Sequence, residues 1–217
     1  MNGRVRLLAA VALTLVSAAP LHAAKPARSW QESATGADRK RLARLWEAWT
    51  GAMADIAANG ETPALTALGP VAAPDAGTMH ANAADREASP AKGPLPGPGA
   101  YLCRTLRLGQ QGDKAVASRV QVGETYPCRI EAQGGGLWFE QEAGANRLGG
   151  HLYADGDRMV FLGATALRGE MGVMPYGADP ERNAIGALRA LGPAQWRLEL
   201  PWPTWQSTLD LVELTPR

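Results

Sequence analysis

Few residues of this chain belong to the types that enzymes use for proton transfer or nucleophilic attack. His151 is the only histidine in the second half of the chain, and it shares one side of a strand-like segment with Tyr153, shortly before Arg158. A Ser-His-Asp triad would need Ser118 or Ser207 near His151, but neither serine lies in the G-x-S-x-G turn that exposes a nucleophile. We therefore predict no catalytic residue, and we expect His151, Tyr153 and Arg158 to contact a ligand or a partner.

The sequence contains no complete motif for binding a metal ion or a phosphate group. Two cysteines and three histidines are too few for a zinc ribbon. Asp155-Gly156-Asp157 resembles a calcium loop but lacks the other ligand positions. No Lys-Ser or Lys-Thr pair follows the glycines at 134–136 to form a phosphate-binding loop. The sequence predicts no metal and no cofactor, and it assigns both glycine-containing segments to turns.

Two other groups of residues could contact a partner or simply shape a loop. Asp179 and Arg182 flank a Pro-Glu pair, a pattern typical of a turn in which Asp179 bonds its own backbone or pairs with Arg182. Trp202 and Trp205 lie on either side of a proline between the last two strands. We expect the tryptophans to plug one end of a barrel, with an exposed recognition patch as the alternative.

The elements that must position these residues are mainly strands. Apolar and aromatic segments punctuated by Gly, Asp and Pro indicate eight of them. These are Tyr101–Leu108, Tyr126–Ala132, Leu137–Gln141, Arg147–Tyr153, Arg158–Leu167, Ala184–Leu191, Gln195–Leu200 and Thr208–Leu214. Residues 184–191 also fit a helical stripe, but Gly186 and the turn that follows favour a strand. Short turns between them predict an antiparallel meander that forms a small barrel or a strongly curved sheet.

Alternation along the seventh of these strands predicts how it faces its neighbours. Trp196, Leu198 and Leu200 share one side, and Arg197 and Glu199 share the other. We expect the apolar side to face the core and the charged side to face solvent.

The N-terminal third has a different composition. Leucine, tryptophan and isoleucine at spacings of three and four predict one amphipathic helix over Thr35–Gly60, capped by Thr35, with a second short helix from Thr62. This segment, residues 25–69, is predicted to pack on the barrel. Residues 70–99 follow, of which 18 of 30 are Pro, Gly or Ala, and are predicted to be a linker before a β domain at 100–217.

The first 24 residues predict export. Arg4 and Arg6 precede an apolar run and then small residues, as in a Sec-type signal peptide cleaved after Ala23 or Ala24. The run is about half the length of a spanning helix, so we expect a periplasmic or secreted protein with no membrane span after cleavage. In an oxidising compartment, the only two cysteines are expected to form a structural disulfide. Pairing Tyr-x-Cys103-Arg with Tyr-x-Cys128-Arg would place both tyrosines beside the cysteines and both arginines on the opposite side.

The charge balance excludes one class of partner. The chain has 22 basic and 21 acidic residues. Cleavage removes two arginines and no acid, which leaves a net charge near −1. A chain without a basic excess has no electrostatic footprint for nucleic acid, so we expect no nucleic-acid partner.

Five segments together resemble a known family. They are Asp38–Trp49, Tyr101–Thr105, Tyr153–Gly163, Pro175–Arg182 and Trp196–Pro201. In this order they are similar to the uncharacterised exported bacterial family called domain of unknown function 4893, over about Asp38 to Pro216. The resemblance implies a location in the envelope and no assigned activity, so no functional residue can be transferred from it.

These observations predict a non-catalytic module that binds a small apolar ligand or an envelope protein. A ligand-binding barrel would have an apolar lumen lined by residues such as Phe139, Phe161 and Trp196, whereas a solidly filled core would exclude it. A protein-binding module would expose aromatic surface around Trp202 and Trp205. The alternatives are a hydrolase-like enzyme with a polar cleft around His151, or an inhibitor of an envelope enzyme.

Overall fold

The computed structural model describes residues 29–74, 93–113, 116–205 and 207–217. The predicted signal peptide at 1–24 and most of the predicted linker at 70–99 lie outside these ranges. Within the described residues, short helices precede an eight-stranded antiparallel barrel.

The strands follow one another around the barrel in chain order. They are β1 (Gly99–Leu108), β2 (Val120–Gln133), β3 (Gly136–Gln141), β4 (Arg147–Asp155), β5 (Arg158–Ala166), β6 (Asn183–Gly192), β7 (Gln195–Pro201) and β8 (Leu209–Pro216). Each pairs antiparallel with the next, and β8 pairs with β1, so the sheet closes. The predicted mainly β fold with a barrel of about eight strands is confirmed, and residues 184–191 belong to a strand.

The disulfide joins the first two strands. The register pairs Tyr101 with Cys128 and Cys103 with Tyr126, and the Cys103–Cys128 bridge spans a Cα–Cα distance of 5.9 Å. All four side chains are on the lumen side, as the repeated Tyr-x-Cys order predicted. The bridge therefore holds β1 against β2 from inside the barrel.

Four helices occupy the start of the described chain. They are α1 (Trp30–Ser33), α2 (Gly36–Ala43), α3 (Leu45–Ala58) and α4 (Thr62–Thr66), and 3-10 turns lie at Gly69–Ala72 and Pro180–Arg182. Thr35 caps α2 as expected, because its side chain accepts a hydrogen bond from the Asp38 amide. The single helix predicted over Thr35–Gly60 is wrong: it is interrupted at Arg44, where φ is −102° and ψ is 19°. The interruption lets α2 pack on β6 and α3 on β7, following the curved wall.

The helices cover part of the outside of the barrel. Trp49 and Ile56 of α3 are fully buried in one apolar cluster with outward-facing Leu106, Leu209 and Leu211. Their burial removes an apolar stripe of the barrel wall from water, which stabilises the fold.

The same covering overturns the expectation that the charged side of β7 faces solvent. Arg197 and Glu199 are both 0% exposed. The Arg197 guanidinium lies over the Trp49 ring at 4.8 Å and donates to the carbonyl oxygens of Pro70, Val71 and Ala73, besides pairing with Glu199. The pair is tolerated because each charge has hydrogen-bond partners.

The two ends of the barrel have different connections. At one end, short turns at 134–135, 156–157 and 193–194 join β2 to β3, β4 to β5 and β6 to β7. Left-handed backbone at Gly134 and Gly156, with φ of 61° and 68°, allows two of these turns to be tight. At the other end the longer connections at 109–119, 142–146, 167–182 and 202–208 come together. We call the first the closed end and the second the mouth.

Candidate binding site at the barrel mouth

The lumen next to the closed end is filled by apolar side chains. Phe139 and Phe161 are 1% and 0% exposed, with ring centroids 6.0 Å apart, and the rings of Tyr101 and Trp196 meet edge to face at 5.6 Å. The segment before β1 covers this end: the Trp196 indole donates to the Pro94 carbonyl at 2.7 Å, and the Tyr101 hydroxyl donates to the Gly97 carbonyl at 2.6 Å. The apolar lumen proposed to hold a ligand is therefore occupied by the protein's own side chains.

A cavity of about 350 Å³ opens at the mouth instead. It begins where inward-facing positions change from apolar to polar, at Thr105 and Arg107 of β1, Gln141 of β3, Thr165 of β5 and Asp210 of β8. Leu148, Leu200, Pro201 and Ala184 supply apolar wall. We call this space the mouth cavity. A concave site with apolar walls and a few polar groups is typical of small-molecule binding.

A hydrogen-bond chain crosses the floor of the mouth cavity. The hydroxyls of Thr105 and Tyr126 form a hydrogen bond with each other, the Gln141 amide donates to Tyr126 Oη at 2.6 Å, and the Leu148 N–H donates to Gln141 Oε1 at 2.9 Å. Burial is the main cause that raises the pKa of Tyr126, so its hydroxyl stays protonated near neutrality. The chain links β1, β2, β3 and β4 and fixes the polar groups of the floor.

Asp210 is the carboxylate of this cavity. Its side chain is 15% exposed, and Oδ1 accepts a hydrogen bond from the Ser207 hydroxyl. Burial raises its pKa to about 6, against the lowering effects of Ser207 and Arg107. Arg107 lies opposite at a loose distance, with Nε 3.9 Å from Oδ2, and its side chain is 43% exposed. The pair places a carboxylate with a raised pKa beside a guanidinium at the cavity surface.

The connection between β7 and β8 forms part of the rim. The Gln111 amide donates to the Pro203 carbonyl at 2.8 Å and also to the Ser207 carbonyl, while the Thr208 N–H donates to the Leu108 carbonyl at 3.0 Å. Trp205 lines the cavity at this rim and is 38% exposed.

Trp202 lies apart from the cavity, half-buried beneath Arg44, whose guanidinium is 5.0 Å from the ring. The two tryptophans thus have different surroundings, because Trp205 lines the mouth cavity and Trp202 does not. Their role as a plug or a recognition patch stays a prediction.

His151 and Tyr153 lie on the outer side of β4 and do not face the lumen. The His151 ring meets Trp138 edge to face at 4.9 Å and is 6.2 Å from the Tyr153 ring. Both line a broad groove of about 760 Å³ beside α1 and the turn between β2 and β3. Ser207 donates to Asp210 and Ser118 donates to Glu61, so neither is paired with His151 as a triad requires.

Arg158, Asp179 and Arg182 make contacts within the protein. Arg158 is 7% exposed and pairs with Asp155 at 2.8 Å. Asp179 accepts from the Glu181 N–H at 3.0 Å, and Arg182 lies 3.4 Å from Asp179 and also pairs with Glu170. The turn expected at 179–182 is present as a 3-10 turn. As ligand or partner contacts these residues stay predictions, and they lie outside the mouth cavity.

Five residues of the site were not identified from the sequence: Thr105, Arg107, Tyr126, Gln141 and Asp210. A usable pattern existed for two of them. Positions 101, 103, 105 and 107 lie on one side of β1, and the inward-facing series changes from Tyr and Cys to Thr and Arg. This change marks the point where the lumen becomes polar.

The described residues hold no group of three His, Cys, Asp or Glu side chains that could bind a metal ion. None of the helices in the same ranges has the length and apolar character needed to cross a membrane.

The fold and the site define a class: an up-and-down eight-stranded β-barrel, filled at one end, with a small partly polar cavity at the other. Residues 30–214 match the family described as a domain of unknown function, DUF4893, and the chain belongs to this family. The resemblance seen in the sequence motifs is confirmed. No curated protein and no solved structure shows significant similarity to the chain.

Proposed function

We propose that this protein is a non-catalytic binding module that holds a small ligand in the mouth cavity. The observation that carries the proposal is the cavity itself, about 350 Å³ at the end of a barrel whose lumen is otherwise filled. Barrel mouths are frequent sites of small-molecule binding, and here the walls come from rigid strands.

The lining supports a ligand that carries a polar group on an apolar body. Leu148, Leu200 and Pro201 can contact the body, while Thr105 and Arg107 can bond the polar group. This differs from the wholly apolar ligand expected from the sequence, because the apolar positions of the lumen contact one another.

Binding is favoured over catalysis by how the reactive groups are held. Ser207, the hydroxyl nearest to Asp210, is 2% exposed, so a substrate would have little access to it. The groove beside His151 supports a hydrolase no better, because the His151 ring contacts those of Trp138 and Tyr153, while both candidate serines donate to carboxylates elsewhere. For the envelope-protein alternative, Trp205 offers an exposed aromatic contact at the rim, whereas Trp202 is covered by Arg44.

A matched pair of variants tests the proposal. Thr165→Phe places a ring in the mouth cavity, whereas Thr125→Phe places the same ring on the exposed outer side of β2. A library of small organic fragments would be screened by protein-detected NMR. We expect some fragments to shift the amides of Thr105, Gln141 and Thr165 in the unmodified protein and in Thr125→Phe, and to bind at least about tenfold more weakly to Thr165→Phe.

The absence of any fragment at the mouth would contradict the proposal. Equal binding to both folded variants would also contradict it, because it would place the fragments elsewhere.

We also propose that the protein works in the periplasm or outside the cell. The supporting observations are the signal-peptide pattern at residues 1–24 and the Cys103–Cys128 bridge, a bond type favoured in oxidising compartments. Intact mass measurement after expression in a Gram-negative host tests this. We expect a periplasmic product that begins at Ala24 or Lys25; an uncleaved cytoplasmic product would refute it.

A further inference from the structure

The mouth cavity presents a guanidinium that is only loosely paired. Arg107 faces the lumen near the mouth, with 43% of its side chain exposed. Its Nε lies 3.9 Å from Asp210 Oδ2, which is longer than a hydrogen bond. A guanidinium presents a planar fork of donors that matches a carboxylate in two parallel bonds. Asp210 therefore leaves donors of the Arg107 guanidinium available to a second carboxylate.

Asp210 differs from an ordinary partner of arginine because its two oxygens have different surroundings. Oδ1 accepts from the buried hydroxyl of Ser207, whereas Oδ2 faces Arg107 at the longer distance. Burial raises the pKa of Asp210 to about 6, so the neutral form is accessible at mildly acidic pH. A neutral Asp210 could keep its hydrogen bond to Ser207 and release Arg107 to another anion.

The remaining groups around Asp210 do not compete for this role. On β2, the pKa of Tyr126 is raised chiefly by burial, and on β7 the register partner Leu200 is uncharged. Arg41 of α2 also lines the cavity and pairs with Asp38 at 2.9 Å, besides donating to the carbonyls of Asn183 and Trp202. Among the described residues that line the cavity, the charged side chains are thus two arginines and one aspartate. Because Asp38 already neutralises Arg41, Arg107 is the cation that an anionic ligand can pair with once Asp210 is protonated.

We propose that the mouth cavity takes a small carboxylate ligand whose carboxylate pairs with Arg107 in place of Asp210, and that Asp210 takes one proton from solvent as the ligand binds. This rests on the proposed binding function and adds the ligand class and its pH dependence. The small cavity and its apolar walls suit a monocarboxylate with a compact apolar body. The only bond that forms is the O–H bond of Asp210, whose proton comes from solvent; the ion pair of Arg107 with the ligand replaces its pair with Asp210.

The exchange fixes the sign of the pH dependence. At low pH Asp210 is already protonated, and the ligand pairs with Arg107 without a proton-uptake cost. As pH rises past the pKa of Asp210, protonation must accompany binding, and affinity falls by about tenfold per pH unit at most. A neutral ligand that leaves the Arg107–Asp210 pair intact would show no such dependence.

Benzoate, benzamide and benzylamine form a matched series of probes with negative, neutral and positive head groups. Each would be titrated into the unmodified protein at about pH 5 and about pH 8, with binding followed by NMR. We expect benzoate to bind about tenfold more tightly than benzamide at the lower pH and to weaken by about tenfold or more at the higher pH. Calorimetry in two buffers of different ionisation enthalpy should show net proton uptake near neutrality.

Three variants assign the effect to residues. Arg107→Gln should reduce benzoate affinity to the level of benzamide, whereas Arg104→Gln, on the outer side of the same strand, should leave it unchanged. Asp210→Asn should keep benzoate affinity high and make it independent of pH.

The possible failures are distinguishable. Tightest binding of benzylamine, or binding of benzoate that ignores pH in the unmodified protein, overturns the carboxylate proposal and leaves the binding function standing. The same conclusion follows if none of the three probes shifts the mouth amides while other fragments do. If no fragment binds there at all, the proposed function fails as well.

Discussion

The closed end and the mouth are built on the same eight strands but are lined by different chemistry. At the closed end, Phe139, Phe161 and Trp196 fill the lumen and exclude water. At the mouth, Thr105, Arg107 and Asp210 occupy equivalent inward-facing positions further along the strands. Because each strand runs through both halves, one half can stabilise the barrel while the other retains space for a ligand. Stability and binding should therefore respond to different substitutions.

The largest expected effect is at the closed end. Phe161→Ala removes a fully buried ring that packs on Phe139, and should lower the free energy of unfolding by about 4 kcal/mol, through lost transfer energy and a new cavity. Urea unfolding at neutral pH measures this. Met171→Ala, at a fully exposed side chain, is the control and should change it by less than about 0.5 kcal/mol. A similarly small change for Phe161→Ala would mean that the closed end is not the stabilising half.

Removal of the disulfide should have the next largest effect. The bridge closes a loop between residues 25 positions apart, for which the loop-closure relation gives a stabilisation of about 3.5 kcal/mol. The double variant Cys103→Ala with Cys128→Ala should lose about this much. Urea unfolding of the double variant, compared with the oxidised protein, checks this value. Under conditions where the variant remains folded, its mouth cavity should bind fragments as the unmodified protein does. An unchanged unfolding midpoint would contradict the assigned role of the bridge.

At the mouth, one substitution should increase stability. The folded-state pKa of Asp210, about 6, exceeds its ordinary value of 3.8, so the folded protein binds more protons than the unfolded chain between these values. Stability should therefore fall as pH rises through this window, and Asp210→Asn should remove the loss, with a gain of up to about 3 kcal/mol at pH 8. Unfolding curves from pH 4 to 8 test the sign.

The control for this experiment is Asp113→Asn, at an exposed side chain. It should leave the pH dependence of the free energy of unfolding unchanged. A stability curve of the unmodified protein that does not fall between pH 4 and pH 6 would contradict the assignment to Asp210.

The smallest expected effects come from the removal of one tyrosine hydroxyl at each end of the barrel. Tyr126→Phe deletes the hydroxyl that accepts from Gln141, and should cost about 1 kcal/mol of stability and also weaken ligand binding at the mouth. Tyr101→Phe deletes a hydroxyl bonded to the Gly97 carbonyl at the closed end, and should leave ligand binding unchanged. Urea unfolding and NMR titration measure the two effects. Equal loss of binding in both variants would show that the ends are not independent.

The strand order and the tight turns of the closed end could largely be predicted because they depend on local patterns. Alternating residues, tight-turn glycines and the repeated Tyr-x-Cys-Arg order each act over a few residues, and each of the eight strands overlaps its predicted segment. The predicted second strand, Tyr126–Ala132, was too short, because β2 begins at Val120. The interruption of the N-terminal helix at Arg44 had no local signature. It follows from the curvature of a barrel wall that the helix residues cannot specify.

The candidate site was predicted poorly for a related reason. His151 and Tyr153 were predicted as contact residues from their residue types, but the alternation of side chains along β4 places both on its outer side. Arg107 and Asp210 are about a hundred positions apart in the chain, and they become register partners only when β8 closes onto β1. Similarly, the sequence predicted that Arg197 and Glu199 face solvent, but α3 and residues 70–73 cover them.

The sequence by itself determined the class of fold, the disulfide and the two sides of each strand, because alternation and turn chemistry are properties of neighbouring residues. Tertiary structure decided which outer side is covered and which part of the lumen remains open. Those outcomes depend on barrel closure and helix docking, which bring together side chains that are distant in the chain. The pairing of Arg107 with Asp210 at the mouth is the clearest product of that closure.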